Sequence, residues 1–555
     1  MAVSSSWKQA DFSRGFAPAA HSVCAFGIPG EVLEARRLAG RSEYAETGDI
    51  VIQAICETSR RTRYIDKTRM LSDEKTLIAC DQTDRGAAIT IRYAHNRGLF
   101  YALLEVDRLL EEGLLPRGEA EHYPLFGVRG YIEGFYGRPW SFEQKKGMLA
   151  FAASRRMNTH YYAPKDDPYH RDLWRELYPP EELSRLAQLA SLAAKLFVDF
   201  HYCIAPGLNI RYSDPAELEA LMSKIRQIYG AGVRNFGLLL DDIGEELAFE
   251  EDRAAFGETI DAHCDLACRF YEALKNLDSG IVLTVCPMQY FGKGDEYYIS
   301  SLGRSLPPEV RVFWTGRDIC SRELTSQQAA HFTRHTLHRP LYWDNYPVND
   351  AEMYNEMHLG PLIGRDPDLY RYAQGLIANC MEYCECSKIP LTTIADYLWD
   401  SEGYDPETSW AYAIEQAVGK QDAAAFAVFA DHLRTSCLLD NNSPSMQKVF
   451  ASVAQSFRAG NIGAALAGVS SYIEATAQCV QWIKKDSALN RELSKWSEKF
   501  LVFSDIVAKL PEAALSGEKS DIDELLALID AYEAKPAVLT KFNIRQELGG
   551  FLGLS

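Results

Sequence analysis

Residues 233–242 read Val-Arg-Asn-Phe-Gly-Leu-Leu-Leu-Asp-Asp. A short apolar run closed by polar residues has the length and composition of a strand buried on both faces. Seven other runs share this build, at 128–136, 157–165, 196–205, 281–290, 310–315, 340–345 and 372–379. They recur at intervals of roughly 30–50 residues, the size of a strand–helix unit. Helix starts fall between them. Ser141 with Gln144 reads as a capping box, and Asp214-Pro215 with Glu217 supplies an N-cap, a proline at the first helical position and an acid in the first turn. Eight such units in succession predict a closed (β/α)₈ barrel, a TIM barrel within the α/β class, over an open doubly wound sheet. The run also lacks the GxGxxG fingerprint of a dinucleotide site.

The flanks differ in rhythm. Upstream, the runs 49–56, 76–80 and 87–93 are rich in Ile and Val, and 97–112 carries apolar residues at helical spacing with Gly113 placed to end the helix. They predict an N-terminal α/β domain over 1–122, followed by the catalytic barrel over 123–412. From there to 555 the pattern is helical, with breaks at Asn441-Asn442-Ser443-Pro444, Gly460-Asn461 and Ser516-Gly517. Four or five helices are expected to pack as a C-terminal bundle over 413–555, with support or homodimer formation as its role.

Composition narrows the function classes. Apolar residues make up 47% and charged residues 24%, as in a globular protein with sizeable cores. The formal net charge of −19 and the lack of a basic stripe argue against a nucleic-acid partner. Thirteen cysteines without regular spacing suit free thiols in a reducing compartment. Neither His263-Cys264-Cys268 nor Cys380-Cys384-Cys386 has the arithmetic of a zinc site, so no metal is expected. The first residues contain no signal-peptide core, and no run of about 18 apolar residues occurs. A cytoplasmic protein without membrane attachment is the expectation.

The chemistry centres on Asp241 and Asp242. Barrel active sites sit at the C-terminal ends of strands. Strand neighbours point to opposite faces, but where the chain turns both side chains can reach one pocket. Two carboxyls held close are expected to separate in pKa, one serving as acid while the other stays anionic. Read alone, the pair is as compatible with a helix N-cap or a solvated loop. The other strand ends add Glu133-Gly134-Phe135-Tyr136, Lys165, Gln289-Tyr290, Trp314-Thr315-Gly316, Trp343-Asp344-Asn345 with Asn349-Asp350, and Asn379. Acids, amides, hydroxyls and flat rings on one rim suit a sugar. Two carboxylates point to glycoside hydrolysis, and their adjacency points to substrate assistance by an acetamido sugar rather than to a protein nucleophile.

Several motifs carry a resemblance. The run Arg129-Gly-Tyr-Ile-Glu-Gly-Phe-Tyr-Gly-Arg-Pro-Trp140 resembles the barrel entry of glycoside hydrolase family 84, the O-GlcNAcases and related β-N-acetylglucosaminidases. So do Tyr162-Ala-Pro-Lys-Asp-Asp167, Leu240-Asp-Asp-Ile243, Trp314-Thr-Gly316, Trp343-Asp-Asn345 and Ala395-Asp-Tyr-Leu-Trp399. The resemblance implies a retaining exo-β-N-acetylglucosaminidase acting through an oxazoline, without a cofactor, on GlcNAc-bearing glycoproteins or glycans. It implies that Asp241 orients the substrate acetamide and Asp242 is the general acid and base. Tyr290 would bond the acetamide oxygen, and Thr315 and Trp343 would shape its methyl pocket. Gly134, Lys165, Asn345, Asp350 and Asn379 would hold hydroxyls, and Tyr136 would line the pocket. Cys380 departs from the resemblance, standing where many relatives carry proline. A hyaluronidase-type endo-hydrolase and a non-catalytic glycan-binding module are the alternatives, distinguished by product size and by turnover.

Overall fold

The computed structural model describes residues 11–17, 22–57, 74–439, 443–459, 461–516, 518–541 and 543–546. Six strands come first: β1 (Asp11–Phe16), β2 (Val23–Phe26), β3 (Ile50–Cys56), β4 (Thr76–Gln82), β5 (Ala87–Tyr93) and β6 (Leu115–His122). They form one mixed sheet in the order β1-β6-β4-β5-β3-β2. Alternate residues of β5, from Ala87 to Tyr93, are buried, the mark of a sheet packed on one side. The covering helix, Asn96–Glu112, ends on Gly113 in the left-handed conformation (φ 71°), where a side chain would be strained.

Eight parallel strands then close a barrel: β7 (Val128–Ile132), β8 (Thr159–Tyr162), β9 (Asp199–Ile204), β10 (Asn235–Leu239), β11 (Val282–Cys286), β12 (Arg311–Trp314), β13 (Pro340–Asp344) and β14 (Gly375–Asn379). Closure is made by β14 pairing with β7, Asn379 opposite Ile132. All eight predicted strands are present, each inside its predicted range. Both predicted caps form. Ser141 and Gln144 exchange side-chain and backbone bonds, and Asp214 accepts from Ala216 N.

Side-chain alternation sorts the barrel into two layers. Ile132, Tyr161, Cys203, Leu239, Cys286, Phe313, Leu341 and Ile377 fill the interior. Leu238, Leu240, Val285, Tyr342 and Leu376 point outward into a larger core that is continuous with the N-terminal sheet and its helix. The barrel interior is thus a packed plug rather than a pore.

The C-terminal region is helical, at Pro406–Val418, Ala423–His432, Pro444–Arg458, Ile462–Ile483, Ala488–Glu492, Ser494–Ser516 and Lys519–Glu533. Residue 413, the predicted start of the bundle, lies within the first of these helices. Of the predicted breaks, Asn441, Asn442, Gly460 and Gly517 fall outside the described residues. These helices share a second apolar core, which also takes in Met357 and Leu359 from the loop after β13. Backbone bonds fix that loop: Asn355 O accepts from Trp496 Nε1 (3.0 Å) and Val538 N (2.8 Å), and Leu359 O accepts from Trp410 Nε1 (2.6 Å).

Candidate active site

The eleven residues to which the resemblance assigns roles all line one pocket at the C-terminal end of the barrel, whereas Glu133, Phe135, Gln289, Trp314, Gly316, Asp344 and Asn349 from the same strand ends do not line it. Asp241 and Asp242 follow β10, Lys165 follows β8, Tyr290 follows β11, and Thr315 follows β12. Asn345 and Asp350 lie beyond β13, Asn379 ends β14, and Gly134 and Tyr136 lie beyond β7.

Strand alternation and one backbone angle bring the two aspartates together. Leu239 faces the barrel interior and Leu240 faces out, so Asp241 faces in. Asp242 would face out, but its φ of 54° lies in the left-handed region and turns the chain at that residue. Aspartate is one of the few side chains that adopt this region readily. Lys165 Nζ then sits 3.7 Å from Asp241 Oδ2 and 3.5 Å from Asp242 Oδ2. Burial opposes the lysine charge, yet Asp241, Tyr136 and Asp242 outweigh it and hold the ammonium above the usual lysine range.

Asp242 is gripped from three sides. Tyr136 donates its hydroxyl proton to Oδ2 (2.9 Å), and Tyr290 donates to Oδ1 (3.4 Å). Arg171 bonds the Tyr136 hydroxyl (3.1 Å) and the Asp242 carbonyl (3.4 Å). Burial and the neighbouring carboxylates raise the Tyr290 phenol, which keeps it a donor.

The opposite wall is a chain of amides. Trp343 Nε1 and Asn379 Nδ2 both donate to Asn345 Oδ1 (2.9 Å each), and Asn345 Nδ2 donates to Ile319 O (2.8 Å). Gly134 N donates to Asn379 Oδ1 (3.2 Å). A Cβ on Gly134 would stand 2.7 Å from the Trp343 ring, so only glycine fits there. Asp350 Oδ2 accepts from Tyr136 N (2.8 Å); burial raises its carboxyl, partly offset by that bond and by Lys165. Thr315 donates to Asp318 O (2.7 Å), which turns its hydroxyl into the loop.

This arrangement sets two acids and a lysine opposite an amide wall across one pocket. The family profile described as beta-N-acetylglucosaminidase matches residues 129–431. The chain belongs to the β-N-acetylglucosaminidase family. The family-84 resemblance drawn from its motifs is borne out. Protein O-GlcNAcase of Rattus norvegicus and of Mus musculus are each 32% identical over 274 residues, 48% of this chain and 29% of theirs. The match therefore spans less than a third of those relatives' length. An aspartate-to-asparagine mutant of the Thermobaculum terrenum O-GlcNAc hydrolase superposes with a TM-score of 0.72 at 30% identity, over 77% of this chain and 95% of that one. CpGH84B gives 0.79 at 26% identity over 93% and 94%.

In this β-N-acetylglucosaminidase-family chain the sequence reading missed Arg171, Ile319, Cys320, Cys286 and Val348, all at or beside the pocket. Arg171, Ile319, Cys320 and Val348 carry no sequence signal, because each is brought in by loop geometry; Cys286 ends β11 and reaches the pocket floor from the barrel interior. Glu133 lies behind Gly134, buried against Lys145 and the backbone N–H of Trp140 (3.3 Å). Burial pushes its carboxyl up to about 7 although Lys145 pulls the other way. Cys380 is buried, with its N–H on Ile132 O (3.3 Å) beside the barrel closure. His263 lies between the hydroxyls of Tyr212 (2.9 Å) and Tyr298 (2.7 Å), and Cys264 and Cys268 are free thiols. Among the described residues no helix is long and apolar enough to cross a membrane.

Proposed function

We propose that this chain is a retaining exo-β-N-acetylglucosaminidase that releases terminal β-linked GlcNAc, including O-GlcNAc on Ser and Thr of proteins, by substrate assistance. The carrying observation is the convergence of two consecutive aspartates on one pocket, with Lys165 within 3.7 Å of both. Asp241, on the inward face, polarises and orients the acetamide N–H, so that the acetamide oxygen attacks the anomeric carbon and an oxazoline forms. Asp242 protonates the departing oxygen and then takes a proton from the water that opens the oxazoline. Tyr290 holds the acetamide oxygen, and Trp343 and Thr315 bound its methyl group. Lys165, Asp350, Asn379 and the Gly134 backbone meet the sugar hydroxyls. An internal nucleophile gains from proximity, and acid–base help adds roughly 10²–10⁴-fold. Neither step needs a cofactor.

A groove continues from Asp242 past Glu245, Glu246, Phe291 and Tyr297. Phe291 and Tyr297 are exposed. Open aromatic faces on the leaving-group side support a macromolecular aglycone. The three-part division at 122 and 412 and the homodimer belong to the same proposal, as does a cytoplasmic location.

The test is turnover of 4-nitrophenyl β-N-acetylglucosaminide and of an O-GlcNAc peptide. Asp241→Asn and Asp242→Asn should each lose activity, and the first-formed sugar should be the β-anomer by NMR. Activity surviving in both variants would remove the assignment. Oligosaccharide products from a polymer would favour the endo-hydrolase.

A further inference from the structure

Among the described residues one grouping outside the pocket has metal-ligand spacing: Asp295, His331 and His335. The histidines stand four apart on the helix Ser326–Thr336, so both rings leave one face, with centroids 4.6 Å apart. Asp295 reaches them from the loop after Tyr290, its Oδ2 3.2 Å from His331 Nε2. One donor atom from each residue lies within 4.8 Å of the others. Ligands at tetrahedral angles and about 2.0–2.1 Å from a zinc ion stand about 3.3 Å apart, so the Asp295–His331 spacing already suits coordination.

We infer that these three side chains bind one divalent first-row cation of the Zn²⁺ or Ni²⁺ class, and that the ion clamps the Tyr290–Glu296 loop to the helix. Two imidazoles and a carboxylate are the donor set those ions take, with water completing the shell. The loop is built to be clamped. Its own folding rests on Glu296, which accepts from Lys293 N (2.6 Å) and Gly294 N (2.9 Å). Gly294 packs so closely on the helix that an added Cβ would lie 3.1 Å from the Phe332 ring. Tyr290 O accepts from Thr315 N and Gly316 O from Gly292 N, both at 2.9 Å, so the loop is tied to the pocket wall at its other end. A bond from Asp295 to a helix-bound ion would restrain the remaining span. Arg317 and Arg334 line the same shallow cavity as His331 and set the affinity below that of a buried site.

Tag-free protein is titrated with ZnCl₂ and NiCl₂ by calorimetry, and amide exchange is followed over 290–296. The wild type should bind one equivalent of each ion, with slower exchange in that loop. His331→Ala/His335→Ala retains every thiol and should lose this binding. Asp295→Asn leaves the helix untouched and should lose the exchange protection. No binding by the wild type, or equal binding by the double variant, overturns the site. Binding without protection at 290–296 overturns the clamp.

Discussion

At the residue scale, the proposed chemistry rests on a main-chain angle as much as on side-chain type. A pair of aspartates after an apolar run was legible in the sequence, and so was their place on a barrel rim. The left-handed turn at Asp242 was not, because no neighbouring glycine or proline announces it. Asn345 shows a different limit. Its residue type fitted a sugar ligand, but its carbonyl is already shared by Trp343 and Asn379, so it braces the wall as well as facing the pocket. If Asp242 is the proton donor, its loss should weigh most on poor leaving groups. Asp242→Ala is expected to cost far less on a dinitrophenyl glycoside than on an O-GlcNAc peptide, whereas Asp241→Ala should cost both alike; kcat/KM over a leaving-group series reads the difference. Gly134→Ala should raise KM sharply by pushing the Trp343 ring, with an overpacking cost of about 1–3 kcal/mol visible in Tm. Unchanged KM would show that the ring yields.

At the scale of elements, the eight barrel strands were readable because each is a short run dominated by apolar and aromatic residues, with polar residues following at the strand end. The predicted ranges ran long at their C-terminal ends, as at 281–290 against Val282–Cys286, because pocket-lining residues continue the apolar pattern into loops. β6 was missed. Its sequence, LPRGEAEH, carries a proline, a glycine and three charges, and it is a strand because β4 and β1 pair with it on either side. The helix Gly30–Leu38 was missed too, having no side-chain cap to mark its start. Caps that were read can be priced by mutation. Ser141→Ala removes the bond to Gln144 N and should lower stability by about 0.5–2 kcal/mol, measured by urea unfolding. An unchanged midpoint would mean that packing alone starts the helix Phe142–Ser154.

At the scale of the whole molecule, burial sets the response to acid. Desolvation pushes His122, His160, His170 and His432 down to about 3 and His263 down to about 4. An unfolded chain takes up protons on these groups from about pH 6.5 while the folded one does not until pH 3–4, so stability falls with pH across that window. Carboxyls raised by burial, such as Glu133, Asp396 and Glu492, act in the opposite sense, and those lowered by cationic neighbours despite burial, such as Glu74, Glu105 and Glu356, act with the histidines. Unfolding free energy should therefore decline steadily from pH 6.5 to 4; a flat profile would count against neutral buried imidazoles. The helical region bears on the pocket in another way. Residues 345–360, which carry Asn345 and Asp350, are anchored through Asn355 and Leu359 to helices far along the chain. A fragment trimmed to the barrel would keep both aspartates yet leave one side of the binding cleft unmoored. Conversely, substitutions near Trp410 or Trp496 offer a remote handle for retuning which sugars the enzyme accepts, without touching a single residue that meets them.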